Sequence, residues 1–281
     1  MTTMEAGTLP VPGAALYYEV RGTGPLLLIL QGGDGDAGRS ADLVDRLVDD
    51  HTVVTYDRRG LSRSTPHDPA RPVTMETHAD DVHRLLAALT DRPAIMFGSS
   101  FGGLIGLTLA VCHPGQVSTL VAHEPGAIGL LSAGRAHFAQ ALEELQETYR
   151  RQGVAAAMNT MGALVGVDLA DLETEPGVRI QEQEPGERAA NLRFLLANDM
   201  PALSRSALTG ADVAALKDTP VRIVPAAGRT TPRTAFPRRC AGELAGLLGT
   251  EVVEFPGCHN GNTTHPRAFA ARLREVLHGT A

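Results

Sequence analysis

The chain is 281 residues long, 43% hydrophobic and 20% charged, with a formal net charge of −7. That length and apolar content suit one large α/β domain with an insertion, or two small domains, and argue against global disorder. No basic block or aromatic-interleaved Lys/Arg patch is present to bind nucleic acid, and the longest apolar run, Leu26 to Leu30, is far too short to span a bilayer.

The first residues, Met1 to Gly7, lack the basic and apolar regions of a signal peptide. Cys112, Cys240 and Cys258 show neither metal-ligand spacing nor an even disulfide framework, so a reducing cytoplasm is the expected location. Lys is scarce beside Arg, and with the Ala and Gly content this suggests a bacterial, GC-rich source.

Thr8–Val11 and Ala15–Val20 read as two short strands around a Pro-Gly turn. Pro25–Leu30 is a continuous apolar run, the pattern of a strand buried on both faces, and a loop, Gly32-Gly33-Asp34-Gly35-Asp36, follows it. Arg39–Val48 has helical spacing, and Thr52–Tyr56 is another buried strand that ends in Asp57-Arg58-Arg59-Gly60. Thr74–Leu89 is a long amphipathic helix, Pro93–Phe97 a strand and Leu104–Ala110 an apolar helix. Val117–Ala122 is a further strand. Residues 127–215 then show helical patterns and no clear strand, after which Val221–Ala226 resumes the sheet. Pro237–Leu248 reads as a helix, Glu251–Phe255 as a strand and Pro266–Leu277 as the last helix.

Strands alternating with helices imply a mainly parallel sheet. The helical block places a cap, residues 127–215, over the carboxyl edge of a core formed by residues 1–126 and 216–281. That edge is where open α/β sheets bind ligands.

The most informative segment is Gly98-Ser99-Ser100-Phe101-Gly102, a G-x-S-x-G turn between a buried-type strand and an apolar helix. Such a turn lifts the Ser100 hydroxyl out of the sheet, and the helix N-terminus behind it favours developing negative charge. A serine nucleophile needs a base. His259 lies in a Gly-bounded loop after the last strand, where a side chain can reach the same edge. His51, His67, His78, His83, His137 and His278 are expected at surface or core positions.

Four pieces in order resemble an α/β-hydrolase-fold protein with a helical cap. They are the loop after Leu30, Tyr56-Asp57-Arg58-Arg59-Gly60-Leu61-Ser62-Arg63-Ser64, the Ser100 turn and the His259 loop. The resemblance implies a mainly parallel eight-stranded sheet flanked by helices. It also implies Ser100 as nucleophile, His259 as base, and an oxyanion hole from the backbone N–H groups of Phe101 and Gly33. Gly32 and Asp34, in the same loop, are candidate substrate contacts, and a polar turn is the alternative for Asp34 and Asp36.

Two departures from the family pattern stand out. Gln31-Gly32-Gly33 replaces the usual His-Gly, and the loop after Val221–Ala226 has no carboxylate, with Thr230 where related sequences carry Asp. Glu124, 24 residues after Ser100, is the substitute acid for His259, as in some members of this fold; the alternative is a hydrogen bond at the approach to the cap. Asp57-Arg58-Arg59-Gly60 reads as loop support, Cys258 as packing, and Met158, Met161 and Leu164 as cap core unless they face a pocket. No metal-ligand set involving His259 and His265 and no nucleotide-binding motif is found, so no metal and no cofactor are expected.

The leading expectation is a cofactor-free serine hydrolase acting on an ester, lactone, thioester or amide of a small to medium molecule, or short peptide, with an apolar part. The alternative is a non-hydrolytic enzyme on the same fold, an epimerase, isomerase or lyase of a natural-product pathway, that moves a proton with His259 or another pocket acid or base. A third class is a ligand-binding protein built on the fold. Nucleic-acid and membrane partners are not expected, and the oligomeric state is open.

Overall fold

The computed structural model describes residues 4–168 and 172–279. Its sheet comprises β1 (Met4–Val11), β2 (Ala14–Arg21), β3 (Leu26–Leu30), β4 (Thr52–Tyr56), β5 (Thr65–Pro66), β6 (Ala94–Ser99), β7 (Val117–His123), β8 (Arg222–Gly228) and β9 (Val253–Phe255). Eight strands run in the order β1-β2-β4-β3-β6-β7-β8-β9, and the two-residue β5 pairs with β2. The β1–β2 and β2–β4 pairings are antiparallel, and from β4 across to β9 all are parallel.

The apolar run of β3 explains its central place. Leu27, Leu28, Ile29 and Leu30 are all fully buried, on alternating sides. Leu28 and Leu30 belong to the apolar cluster that takes in α2 (Met75–Leu89), α3 (Phe101–Cys112) and α9 (Phe236–Leu248). Leu27 and Ile29 belong to a second cluster with α1 (Ala41–Leu47) and α11 (Pro266–His278). The sheet is thus covered on both faces, and side-chain alternation along one strand feeds both layers.

Between β7 and β8 lies a helical insertion: α4 (Arg135–Gln152), α5 (Val154–Val165), α6 (Pro185–Phe194), a π-helical turn (Leu195–Asp199), α7 (Met200–Ser204) and α8 (Gly210–Ala215). The described residues of this segment contain no strand. Elements not anticipated from periodicity are all short, among them β5, the 3₁₀ turns Ala37–Ser40 and Pro114–Gln116, and α10 (Gly261–Thr264). Among the described residues no helix is long and apolar enough to cross a membrane.

Candidate active site

The turn from β6 into α3 holds Ser100 at φ 52°, ψ −114°, outside the regions an L-residue prefers. Its N–H donates to the carbonyl of His123 (2.9 Å), and its own carbonyl accepts from Gly126 N–H (3.1 Å), so the end of β7 braces the strained residue. A Cβ on Gly102 would stand 2.1 Å from the Leu30 carbonyl oxygen; only glycine lets α3 approach β3 this closely. The Gln31–Gly33 loop lies directly against the turn, since a Cβ on Gly32 would come within 2.9 Å of Ser100 Cβ.

Among the described residues, only Ser62, Ser100 and Glu124 combine a side chain with positive φ. Glu124, at φ 46°, directly follows β7 and is fully buried. One carboxylate oxygen, Oε2, lies 2.6 Å from His259 Nδ1, and Oε1 accepts from Gly228 N–H at 2.9 Å. Burial alone would raise this carboxyl; the hydrogen bond and charge of His259, with His123 adding to them, outweigh burial and hold it below the usual range. A carboxylate from the end of β7 thus stands beside the end of β8, whose own loop has none. Gly228 ends β8 and donates its backbone N–H to an acid that arrives from β7, while Thr230 is exposed in the loop beyond.

Ser100, Phe101, Gly33 and His259 line one cavity of about 130 Å³. Phe101 is the first residue of α3, so its N–H has no carbonyl one turn back within the helix. Gly32 and Asp34 line the same cavity, and Asp34 Oδ2 stands 3.8 Å from Arg188 Nε of α6. Asp36 has a structural part instead: it caps the 3₁₀ turn through Gly38 N–H and accepts from Ser62 Oγ and Gln183 Nε2. Gln31, the residue in place of the usual His, accepts at Oε1 from Ser40 Oγ (3.1 Å). Ser40 Oγ in turn accepts from Asn262 Nδ2 (3.0 Å), which ties the Gln31 loop to the segment after His259.

The insertion supplies the apolar wall through Met158, Met161, Val165, Leu195 and Met200. The two α5 methionines were expected as core; they pack against the core and also face the cavity, whereas Leu164 only packs. Cys258 is half-buried, and burial pushes its thiol up, which suits packing rather than nucleophilic chemistry.

The sequence reading missed a second buried carboxylate beside the site. Asp199, at the end of the π-helical turn, accepts from Arg58 at 2.8 Å and lies 3.1 Å from His78 Nε2. Burial would raise Asp199; the Arg58 charge and the His78 hydrogen bond reverse that and lower it. Arg58, expected as loop support, also donates to the carbonyls of Gln31 (3.1 Å) and Gly33 (2.6 Å), and its guanidinium lies 4.8 Å from the Phe101 ring centre. Its neighbours do brace loops: Asp57 accepts from Ala37 N–H and Arg63, and Arg59 pairs with Asp81 through two hydrogen bonds. Proximity in sequence could not have found Asp199, which lies 141 residues from Arg58.

A family model described as alpha/beta hydrolase fold matches residues 25–198. The chain is 39% identical over 280 residues to an uncharacterized hydrolase, YraK, of Bacillus subtilis (strain 168), covering 98% of this chain and 97% of that one. The chain belongs to the α/β-hydrolase family. Solved structures bear out the hydrolase fold across the molecule. A hydrolase from Pseudomonas aeruginosa PA01 superimposes with a TM-score of 0.71 at 24% identity, covering 97% of this chain and 98% of that one. An alpha/beta hydrolase from Sphaerobacter thermophilus DSM 20745 does so with a TM-score of 0.68 at 23% identity, covering 96% and 100%. This chain is accordingly a hydrolase of the α/β fold; which bond it cleaves has to come from the chemistry of the cavity.

Proposed function

We propose that the protein is a serine hydrolase that cleaves an ester, thioester, lactone or amide of a small molecule with an apolar acyl part, without a cofactor. The observation that carries this reading is the 2.6 Å contact of Glu124 with Nδ1 of His259, an imidazole that lines the same cavity as the strained Ser100. A carboxylate on Nδ1 fixes the tautomer that leaves Nε2 as the base, and it stabilises the imidazolium formed during turnover.

In this reaction Ser100 Oγ attacks the carbonyl carbon while its proton passes to His259 Nε2. The carbonyl oxygen becomes an anion held by the N–H groups of Phe101 and Gly33, each worth on the order of 3 kcal/mol of barrier. Collapse expels the alcohol, thiol or amine, which takes the proton back from His259. Water then gives a proton to His259 and attacks the acyl group, and as the acid departs His259 returns that proton to Ser100 Oγ.

The insertion, residues 127–215, acts as the cap over the core formed by 1–126 and 216–281, and its methionines hold the acyl chain. A cavity of about 130 Å³ suits a group near the size of a benzene ring. The leaving group is placed toward the rim, where Asp34, Arg39 and Arg188 lie. The non-hydrolytic alternative rests on the missing acid after β8 and on Gln31 in place of His; the contact of Glu124 with His259 favours hydrolysis over it.

The test is covalent labelling. A fluorophosphonate probe is expected to modify the wild type at Ser100 and to leave a folded Ser100→Ala variant unlabelled. A folded wild type that resists the probe and hydrolyses none of the p-nitrophenyl esters from acetate to octanoate would sink the proposal.

A further inference from the structure

Arg58 is fully buried, and of the residues assigned a chemical step it meets only the Phe101 ring and the Gly33 carbonyl, not Ser100 or His259. Its hydrogen bonds are specific in where they fall. The carbonyls of Gln31 and Gly33 belong to the two peptide groups on either side of the Gly32–Gly33 peptide, and that central peptide carries the N–H assigned to the oxyanion hole. The central peptide's own carbonyl, that of Gly32, accepts from Gly35 N–H at 3.0 Å, so with Arg58 on both neighbours all three successive peptides are held and the N–H between them keeps one direction. The same guanidinium lies over the ring of Phe101, whose N–H is the other assigned donor. Arg58 is held in turn by Asp199, which belongs to the insertion, and Asp199 is also held by His78 of α2.

We propose that Arg58 and Asp199 are positioning residues of the oxyanion hole, so that the hole takes its active geometry only when the helical insertion is seated on the core. This inference rests on the serine-hydrolase reading above and deepens it. An oxyanion donor acts only if it is aimed before the charge develops, and a displacement of about 1 Å costs on the order of a hundredfold in rate. The buried pair also suits a fixed clamp rather than proton transfer, because a guanidinium keeps its proton at all physiological pH values. A π-helical turn at the point where the insertion delivers Asp199 is a feature that recurs at functional sites.

The experiment compares ground-state and transition-state readouts in two variants. Removing Asp199 alone strands a buried guanidinium, so the first variant is the double replacement Arg58→Met with Asp199→Leu, which removes both charges while roughly keeping volume. The second, Arg58→Lys, retains the charge beside Asp199 but cannot span the carboxylate and both carbonyls at once. Each is assayed with p-nitrophenyl butyrate and with 1-butaneboronic acid, whose boron accepts Ser100 Oγ and places an anionic oxygen in the hole.

In variants that melt as cooperatively as the wild type, kcat is expected to fall on the order of a hundredfold, with the boronate inhibition constant rising in parallel and KM changing less than about threefold. An unchanged kcat and boronate constant in either folded variant overturns the inference, as does a loss confined to KM. A wild type that neither labels with fluorophosphonate nor binds the boronate overturns the serine-hydrolase reading itself, which separates the two failures.

Discussion

Two fully buried carboxylates, Glu124 and Asp199, stand behind side chains that reach the cavity lining, and they differ in what they face. Glu124 comes from the end of β7 and meets an imidazole carried by the loop after β9, so both partners belong to the sheet core. Asp199 comes from the helical insertion and meets a guanidinium from the loop after β4, so that pair joins insertion to core. Each carboxyl is lowered against the effect of burial by its cationic or hydrogen-bonding partner. An imidazole can take up and return a proton near neutral pH, and a guanidinium cannot. With similar burial and similar distances, the chemistry of the partner is what separates the role proposed for one pair, proton transfer, from that proposed for the other, positioning.

The sharpest way to break this comparison is Glu124→Gln. The amide retains an acceptor for Gly228 N–H but cannot stabilise the imidazolium, so kcat is expected to fall on the order of 10³- to 10⁴-fold with the melting transition nearly unchanged. Steady-state kinetics beside thermal melting checks it, and a loss under tenfold would remove Glu124 from the mechanism. Asp199→Ala is its opposite. Stranding Arg58 should cost about 3–5 kcal/mol of stability in urea unfolding, well beyond the cost of Glu124→Gln.

A third outcome concerns His123, which precedes Glu124 and is buried among Phe97, Phe255 and Phe269 with neither ring nitrogen hydrogen-bonded. Burial lowers it from 6.5 to about 4. As pH falls the unfolded chain binds this proton first, so stability is full above about 6.5 and declines toward about 4. The decline attributable to this group is on the order of 3 kcal/mol. Urea midpoints across that range should flatten in His123→Phe, and an unchanged slope would refute the assignment. The smallest effect belongs to the insertion wall. Met161→Ala should shift the kcat/KM ratio of p-nitrophenyl octanoate over butyrate upward by about tenfold, with little change on butyrate itself.

The nucleophile turn and the sheet were legible because their signals are local. A G-x-S-x-G between an apolar strand and an apolar helix specifies its own backbone strain, and the run Leu26–Leu30 declares burial on both faces without reference to the rest of the chain. His259 was readable from its place after the last strand. Glu124 could be named only as one of two uses for a carboxylate at a strand end, since the His259 it meets lies 135 residues away. Met158 and Met161 had a helical period that fits core and cavity wall equally well, and Arg58 looked like any basic residue of a supporting loop.

Residue order along the chain thus determined the hydrolase architecture and the strained turn that carries Ser100, because hydrophobic period and turn stereochemistry act over a few neighbouring residues. Which acid reaches the imidazole, and which part of the insertion grips the loop after β3, were decided only by tertiary packing. A buried charge is stable only beside its partner, and folding alone brings partners more than a hundred residues apart to within a hydrogen bond.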